Sequence, residues 1–160
     1  MIITVNNKKV LVDDEDYQKL YPGSFFINNR GYVIFSKYNK QTQKSDKVRL
    51  HRFLINVDDQ QYVDHINGDK LDNRKQNLRT ATQSQNIANS KKSRANTSGY
   101  KGVTWSKQHK KWIAQMTQNS KHIHLGLFDC PSKASEAYDH AVMERFGVYA
   151  KPNSDLLVAT

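Results

Sequence analysis

Asp64 and His65 stand side by side in the run Tyr62-Val63-Asp64-His65-Ile66-Asn67-Gly68-Asp69, and Asn77 and Asn86 follow shortly after. Together these side chains supply what hydrolysis of a phosphodiester requires. One group must take a proton from water, and a cation must neutralise charge on the phosphate and the leaving oxygen. A neutral imidazole can act as that base. A carboxylate and an amide oxygen are hard ligands suited to Mg2+ or another divalent cation such as Mn2+. His65 is therefore the expected catalytic base, with Asp64 and Asn86 the expected metal ligands. Asn77 is expected to hold the imidazole by a hydrogen bond that fixes its tautomer. Taken singly, a histidine is more often structural, and asparagines usually mark turns. The joint pattern carries the reading.

These residues need elements to place them. Tyr62 to His65 reads as a strand that ends in a turn, and Thr80-Ala81-Thr82 as a second short strand. Ser84 is the expected cap of a helix over Gln85 to Asn89. The order is strand, loop, strand, helix. His65 then closes the first strand, Asn77 precedes the second, and Asn86 lies in the first turn of the helix. Upstream, Ile2 to Val5 and Lys9 to Val12 flank Asn6-Asn7-Lys8 as a hairpin. The acidic run Asp13 to Asp16 opens a brief helix carrying Tyr17 and Leu20, which Pro22-Gly23 ends. Phe25 to Ile27 and Tyr32 to Phe35 bracket Asn28 to Gly31 as a second hairpin. Asn39 to Asp46 reads as a loop, and Val48 to Ile55 as a short helix.

Bulk properties narrow the partners. The 160 residues carry a net charge of +10, and 37% of them are hydrophobic. Two small cores suit that balance better than one large one. A positive excess of this size makes a polyanion the first partner to consider. Cys130 is the only cysteine, so no disulfide and no cysteine-based zinc site forms within one chain, and a reducing setting is expected. The N-terminus lacks the apolar core of a signal peptide, and no apolar run reaches transmembrane length. The expectation is a soluble, intracellular protein with no membrane partner.

Residues 90 to 99, SKKSRANTSG, are small, polar and basic, as in a linker. Between Asn89 and Phe128 there are eight Lys or Arg residues and no Asp or Glu, which suggests a phosphate-tracking surface. In Trp112 to Thr117, residues Trp112, Ala114 and Met116 share one face, and Gln115 and Thr117 the other. In His122 to Leu125 two histidines alternate with Ile123 and Leu125. A helix over about Lys133 to Phe146, capped by Ser132 and ended by Gly147, presents Ala134, Ala137, Tyr138 and Ala141 as one stripe. It can cover the apolar side of the sheet, leaving the polar side free to enter a DNA groove.

Residues 48 to 89, with Asp-His-Ile-Asn-Gly at 64–68 and Asn-Arg-x-x-Asn-Leu-Arg at 73–79, resemble the His-Asn-His (HNH) endonucleases of phage and mobile introns. That resemblance implies a ββα-metal finger holding one divalent cation. His65, Asn77 and Asn86 match its three name positions, and Asp64 its second ligand. His51-Arg52 matches a further pair, with Arg52 in a supporting role. Residues 100 to 153 resemble the APETALA-type, or ethylene-response-factor, DNA-binding domain of plants. The carriers are Tyr100-Lys101-Gly102-Val103, Lys111-Trp112-Ile113-Ala114, Leu125-Gly126-Leu127-Phe128, Ala137-Tyr138-Asp139 and Asn153. There the sheet face reads DNA, which implies contacts at Lys101, Thr104, His109, Gln115, Thr117, His122 and His124. Lys107, Lys111 and Lys121 extend that set, and Arg52, Arg74, Lys91, Lys92 and Arg94 are the other expected contacts.

The expected fold is α+β: a strand-rich N-terminal region with the finger, then a three-stranded antiparallel sheet packed on one helix. Domains are expected at 1–89 (nuclease, finger core about 60–89), 90–99 (basic linker) and 100–154 (DNA binding). The expected protein is a site-specific, homing-type endonuclease, phage- or mobile-element-encoded and working in a bacterial cytoplasm. It would act on double-stranded DNA as a monomer or weak dimer, nicking one strand or cutting both. The rivals are a DNA-binding regulator carrying an inactive HNH relic, and an RNA-binding or packaging protein.

Overall fold

Asn6 and Asn7 have φ of 49° and 60°, the backbone that a tight two-residue hairpin turn demands and that asparagine tolerates. They join β1 (Ile2–Val5) to β2 (Lys8–Leu11), paired antiparallel from Val5↔Lys8 to Ile2↔Leu11. Asp13 precedes α1 (Asp14–Lys19), whose first turn is all acidic, as the helix dipole favours. A three-stranded antiparallel sheet follows, in the order β3 (Ser24–Ile27), β4 (Val33–Asn39), β5 (Lys44–Arg49). The computed structural model describes residues 1–58 and 60–154. They form small antiparallel sheets with short helices, a mixed α and β architecture, and no described helix is long and apolar enough to cross a membrane.

The chain divides into two compact units, Met1–Ala81 and Thr82–Thr160. In the first, Val5, Val10, Val12, Leu20, Val33, Phe35 and Leu50 make one core. Helix α2 (Leu50–Ile55) buries Leu50 and His51 and ends on Asn56, which adopts the left-handed conformation. A second hairpin pairs β6 (Tyr62–His65) with β7 (Leu78–Ala81). The loop between them is sewn to the N-terminal strands. Leu11 N–H donates to the Leu71 carbonyl at 2.9 Å, and Asn73 N–H to the Leu11 carbonyl at 2.8 Å.

Two expectations shift here. In the stretch Asn39 to Asp46, residues 40–43 are the turn between β4 and β5, but Asn39 and Lys44 to Asp46 are strand, with pairing out to Asn39↔Lys44. Its strand residues are largely exposed, so no polar/apolar alternation betrays it. Val48 belongs to β5, paired with Phe35, and the helix starts at Leu50.

The second unit opens with α3 (Gln83–Asn89). Its cap is Thr82 and not Ser84. Gln85 N–H donates to Thr82 Oγ1 at 3.2 Å, and Thr82 N–H donates to Gln85 Oε1 at 2.8 Å, a reciprocal capping box. Ser84 is buried and accepts from the Asn119 N–H at 2.8 Å. Lys92 donates to the Gly99 carbonyl, and Asn96 bonds Gly99 N–H and the Tyr100 carbonyl, so segment 90–99 folds on itself as it leads to β8.

The sheet order is β10 (Lys121–Phe128), β9 (Lys111–Gln118), β8 (Val103–Ser106). Helix α4 (Pro131–Phe146) packs on one face, burying Ala134, Tyr138 and Val142 against Val103, Ala114 and Met116. It begins earlier than Ser132 allows, because Pro131 is pre-set for a first helical position. Gly147, at φ 49°, ends it.

Candidate active site

Strand β6 ends on two buried polar residues, Asp64 and His65, each 5% exposed. Val63 on β6 and Leu78 on β7 pin the hairpin to the interior. Gly68, at φ 70°, lets the chain turn at once, its N–H donating to the His65 carbonyl at 2.8 Å.

The His65 ring is packed on three sides. His51 from α2 meets it edge-on, centroids 4.8 Å apart, and Tyr32 from the β3–β4 turn lies 6.3 Å away. Tyr32 also contacts His51 at 5.2 Å. The amide in hydrogen-bond range is that of Asn73, with Oδ1 3.4 Å from His65 Nε2. Asn73 is fully buried and anchored to Lys70 and Leu11. An amide oxygen at that place selects the tautomer with hydrogen on Nε2 and the lone pair on Nδ1. Burial lowers the His65 pKa below its ordinary value, opposed in part by Asn73 and by the charges of Asp64, Asp69 and Asp72. The imidazole is neutral at neutral pH, as a base must be.

Asn77, expected to hold the imidazole, sits at the turn instead. Its Oδ1 accepts from Asn67 N–H at 3.0 Å, and its Nδ2 donates to Asn67 Oδ1 at 3.0 Å and to the Asp72 carbonyl at 2.8 Å. It braces the loop that carries Asn73. Asp64 faces Arg79 across the hairpin, and Arg79 Nε and Nη2 both donate to Asp64 Oδ2, at 3.0 and 2.9 Å. Arg74 does not face solvent alone: Nε and Nη2 each bond the Asp72 carboxylate at 2.8 Å. Arg52 donates to the Asp58 and Gln61 carbonyls and so clamps the turn before β6.

Four residues of the site had no role assigned from the sequence: Tyr32, His51, which was named only as half of a matched pair, and Asn73 and Arg79, which were named only within the matched motif. His51 is 3% exposed, and its Nδ1 is buried with no hydrogen-bond partner among the described residues. Burial, then the neighbouring His65 and the cations Arg49, Arg52 and Lys70, push its pKa down to about 3. The signals were present: His51 adjoins Arg52, Asn73 adjoins Arg74, and Arg79 follows from pairing the two strands about their turn.

Among the described residues no three His, Cys, Asp or Glu side chains gather as a metal cluster. The pattern offers a buried carboxylate, Asp64, and amide oxygens. That donor set fits a hard divalent cation that keeps much of its shell as water. Asn86 lies half-buried on α3, on the unit that begins at Thr82, while Ser84 and Ala88 fill the helix's buried face.

The expected DNA contacts fall into groups. Strand register puts Thr104, Lys111, Gln115, Thr117, His122 and His124 on the sheet face opposite α4. His122 Nδ1 is 3.3 Å from Thr117 Oγ1. Lys107 and His109 lie in the β8–β9 turn, where His109 bonds Ser106, and Lys121 opens β10. Lys91, Lys92 and Arg94 are exposed. Lys101 is turned away, its ammonium donating to the Ala88 carbonyl at the end of α3.

The family model for HNH endonucleases matches residues 56–88. Protein 3.8 of Escherichia phage T7 is 42% identical over 60 residues, 38% of this chain, and the aligned stretch spans half of that relative's length. An AP2-like ethylene-responsive transcription factor of Oryza sativa subsp. japonica is 37% identical over 59 residues, covering 36% of this chain and 9% of the factor. No solved structure matches. An uncharacterized HNH endonuclease of Acanthamoeba polyphaga mimivirus is 30% identical over 146 residues, covering 82% of this chain and 75% of the relative. Asp64, His65, Asn77 and Asn86 all lie within the stretch that the family model matches, and with the mimiviral likeness running over most of both chains, the protein belongs to the HNH endonuclease family.

Proposed function

We propose that the chain is a metal-dependent, site-specific DNA endonuclease of homing type, with nuclease residues in 1–89 and a duplex-binding sheet domain in 100–154. The observation that carries the reading is a buried, neutral His65 beside a buried carboxylate at the end of one strand. His65 takes the proton from the attacking water through its basic nitrogen, and Asn73 orients the ring from the other. By the family pattern, Asp64 and Asn86 would be the residues that hold a divalent cation, Mg2+ or Mn2+. When bound, that cation stabilises charge on the phosphate and leaving oxygen. Arg79, donating twice to Asp64 Oδ2, holds that carboxylate in place across the hairpin.

Lys91, Lys92 and Arg94 contribute attraction to phosphates, which positions DNA without reading its sequence. The sheet face opposite α4 reads the duplex, an assignment supported by the likeness to the rice factor and by the one-signed charge of 89–128. The test is incubation of supercoiled plasmid with the full chain and Mg2+, with and without EDTA. Nicked or linear product that EDTA abolishes is expected. Tight duplex retention with no product under any divalent cation, on plasmid and on DNA flanking the coding locus alike, would instead make the protein a regulator with an inactive site.

A further inference from the structure

The free face of the C-terminal sheet is polar and basic except for one row. Register aligns Leu127 of β10, Ile113 of β9 and Thr104 of β8 across the three strands. The next row is Gln115 with His124, and the one after it Thr117 with His122. Leu127 is 38% exposed, Ile113 is half-buried, and neither belongs to the clusters that fill the space under α4. A single exposed leucine needs no explanation. Two branched side chains and a threonine methyl in register, within a stretch that has eight cations and no acid, do.

The sheet is built to put Leu127 there. The register slips between His124 and Gly126, leaving Leu125 as the extra residue of a bulge. Without that slip Gly126 would stand opposite Ile113 and Leu127 would point toward α4. Gly126 takes φ 144° at the bulge. The bulge therefore presents an aliphatic side chain on a face that would otherwise show a gap.

We propose that Ile113, Leu127 and the methyl of Thr104 form an apolar row that contacts thymine C5-methyl groups in the major groove of duplex DNA. This rests on the reading of the sheet face as the duplex-binding surface. The charge of the stretch selects a polyanion, and on base-pair edges the major groove offers one apolar feature, the thymine methyl. Gln115, one row further, has the amide suited to adenine N6 and N7. Rows two residues apart on a strand are spaced by about 7 Å, roughly two base-pair rises. The face thus favours steps in which thymine and adenine stand about two pairs apart.

The test measures equilibrium binding of the full chain, in EDTA to stop cleavage, to four 20-base-pair probes. These are alternating dA·dT, the same duplex with deoxyuridine for thymidine, alternating dG·dC, and dG·dC with every cytosine 5-methylated. Uracil lacks only the methyl, and 5-methylcytosine restores a methyl at the same place in the groove. The expected result is about three- to tenfold weaker binding on removing the thymine methyl, with a gain on methylating cytosine. Ile113→Ala with Leu127→Ala is expected to bind the thymidine and deoxyuridine duplexes equally, with its melting temperature little changed. Equal wild-type affinity for those two duplexes overturns this inference and leaves duplex binding by the sheet intact. Failure to bind any of the four overturns both.

Discussion

Two imidazoles in edge contact, His51 and His65, are both driven toward the neutral form by burial. In the unfolded chain each takes a proton near its ordinary value of about 6.5. The folded state refuses that proton, for His51 down to about pH 3. Because the unfolded chain binds more protons below 6.5, stability falls as pH drops from about 6.5 toward 3, by up to about 1.4 kcal/mol per pH unit for His51, and His65 acts in the same direction. Thermal melts from pH 7 to 5 are expected to show this slope, and His51→Gln to flatten it. A slope unchanged in that variant contradicts the assignment. Asn73→Ala should lower kcat about 10- to 100-fold while leaving KM for DNA near wild type; an unchanged kcat would return the orienting role to Asn77. Asp64 and His65 could be read from residue type and adjacency alone. The choice between Asn73 and Asn77 could not, since both fall in one polar loop. What separates them is that residues 71–73 are tied to β2, a contact distant in sequence.

Hairpins and amphipathic faces were visible where a rule of local chemistry applied. The Asn6-Asn7 turn, the in/out alternation of β9 and the small-residue stripe of α4 are such cases. Stretches without alternation were not visible: the end of β4 beyond Phe35 and the start of β5 carry mostly polar, exposed residues on both faces, and pairing alone defines them. The N-terminal strands had no readable purpose in the sequence, yet they carry the backbone bonds that fix the site loop. Among the glycines, Gly102 tests the sheet–helix packing best. It holds φ 74°, and a β-carbon there would lie 2.0 Å from the Tyr138 ring and 2.8 Å from the Gln115 carbonyl. Gly102→Ala is expected to cost about 2–4 kcal/mol from overpacking and left-handed strain together, read by denaturant unfolding. A cost under about 0.5 kcal/mol would mean that α4 packs differently on the sheet.

Net charge of +10 over 160 residues sets how the molecule meets DNA before any base is read. Affinity for duplex should fall steeply between 50 and 200 mM salt, by about tenfold or more if even a few phosphates are engaged; a flat titration would argue against phosphate contacts. That attraction is independent of the hydrolytic site, so binding and cutting can be separated in one protein. The most direct measurement is therefore plasmid cleavage with Mg2+ by the wild type and by His65→Ala, with duplex affinity determined on the same samples. The account predicts that the variant binds as the wild type does and loses at least about a hundredfold in cleavage rate. Cleavage by His65→Ala at the wild-type rate would contradict it, and would move the base to another residue.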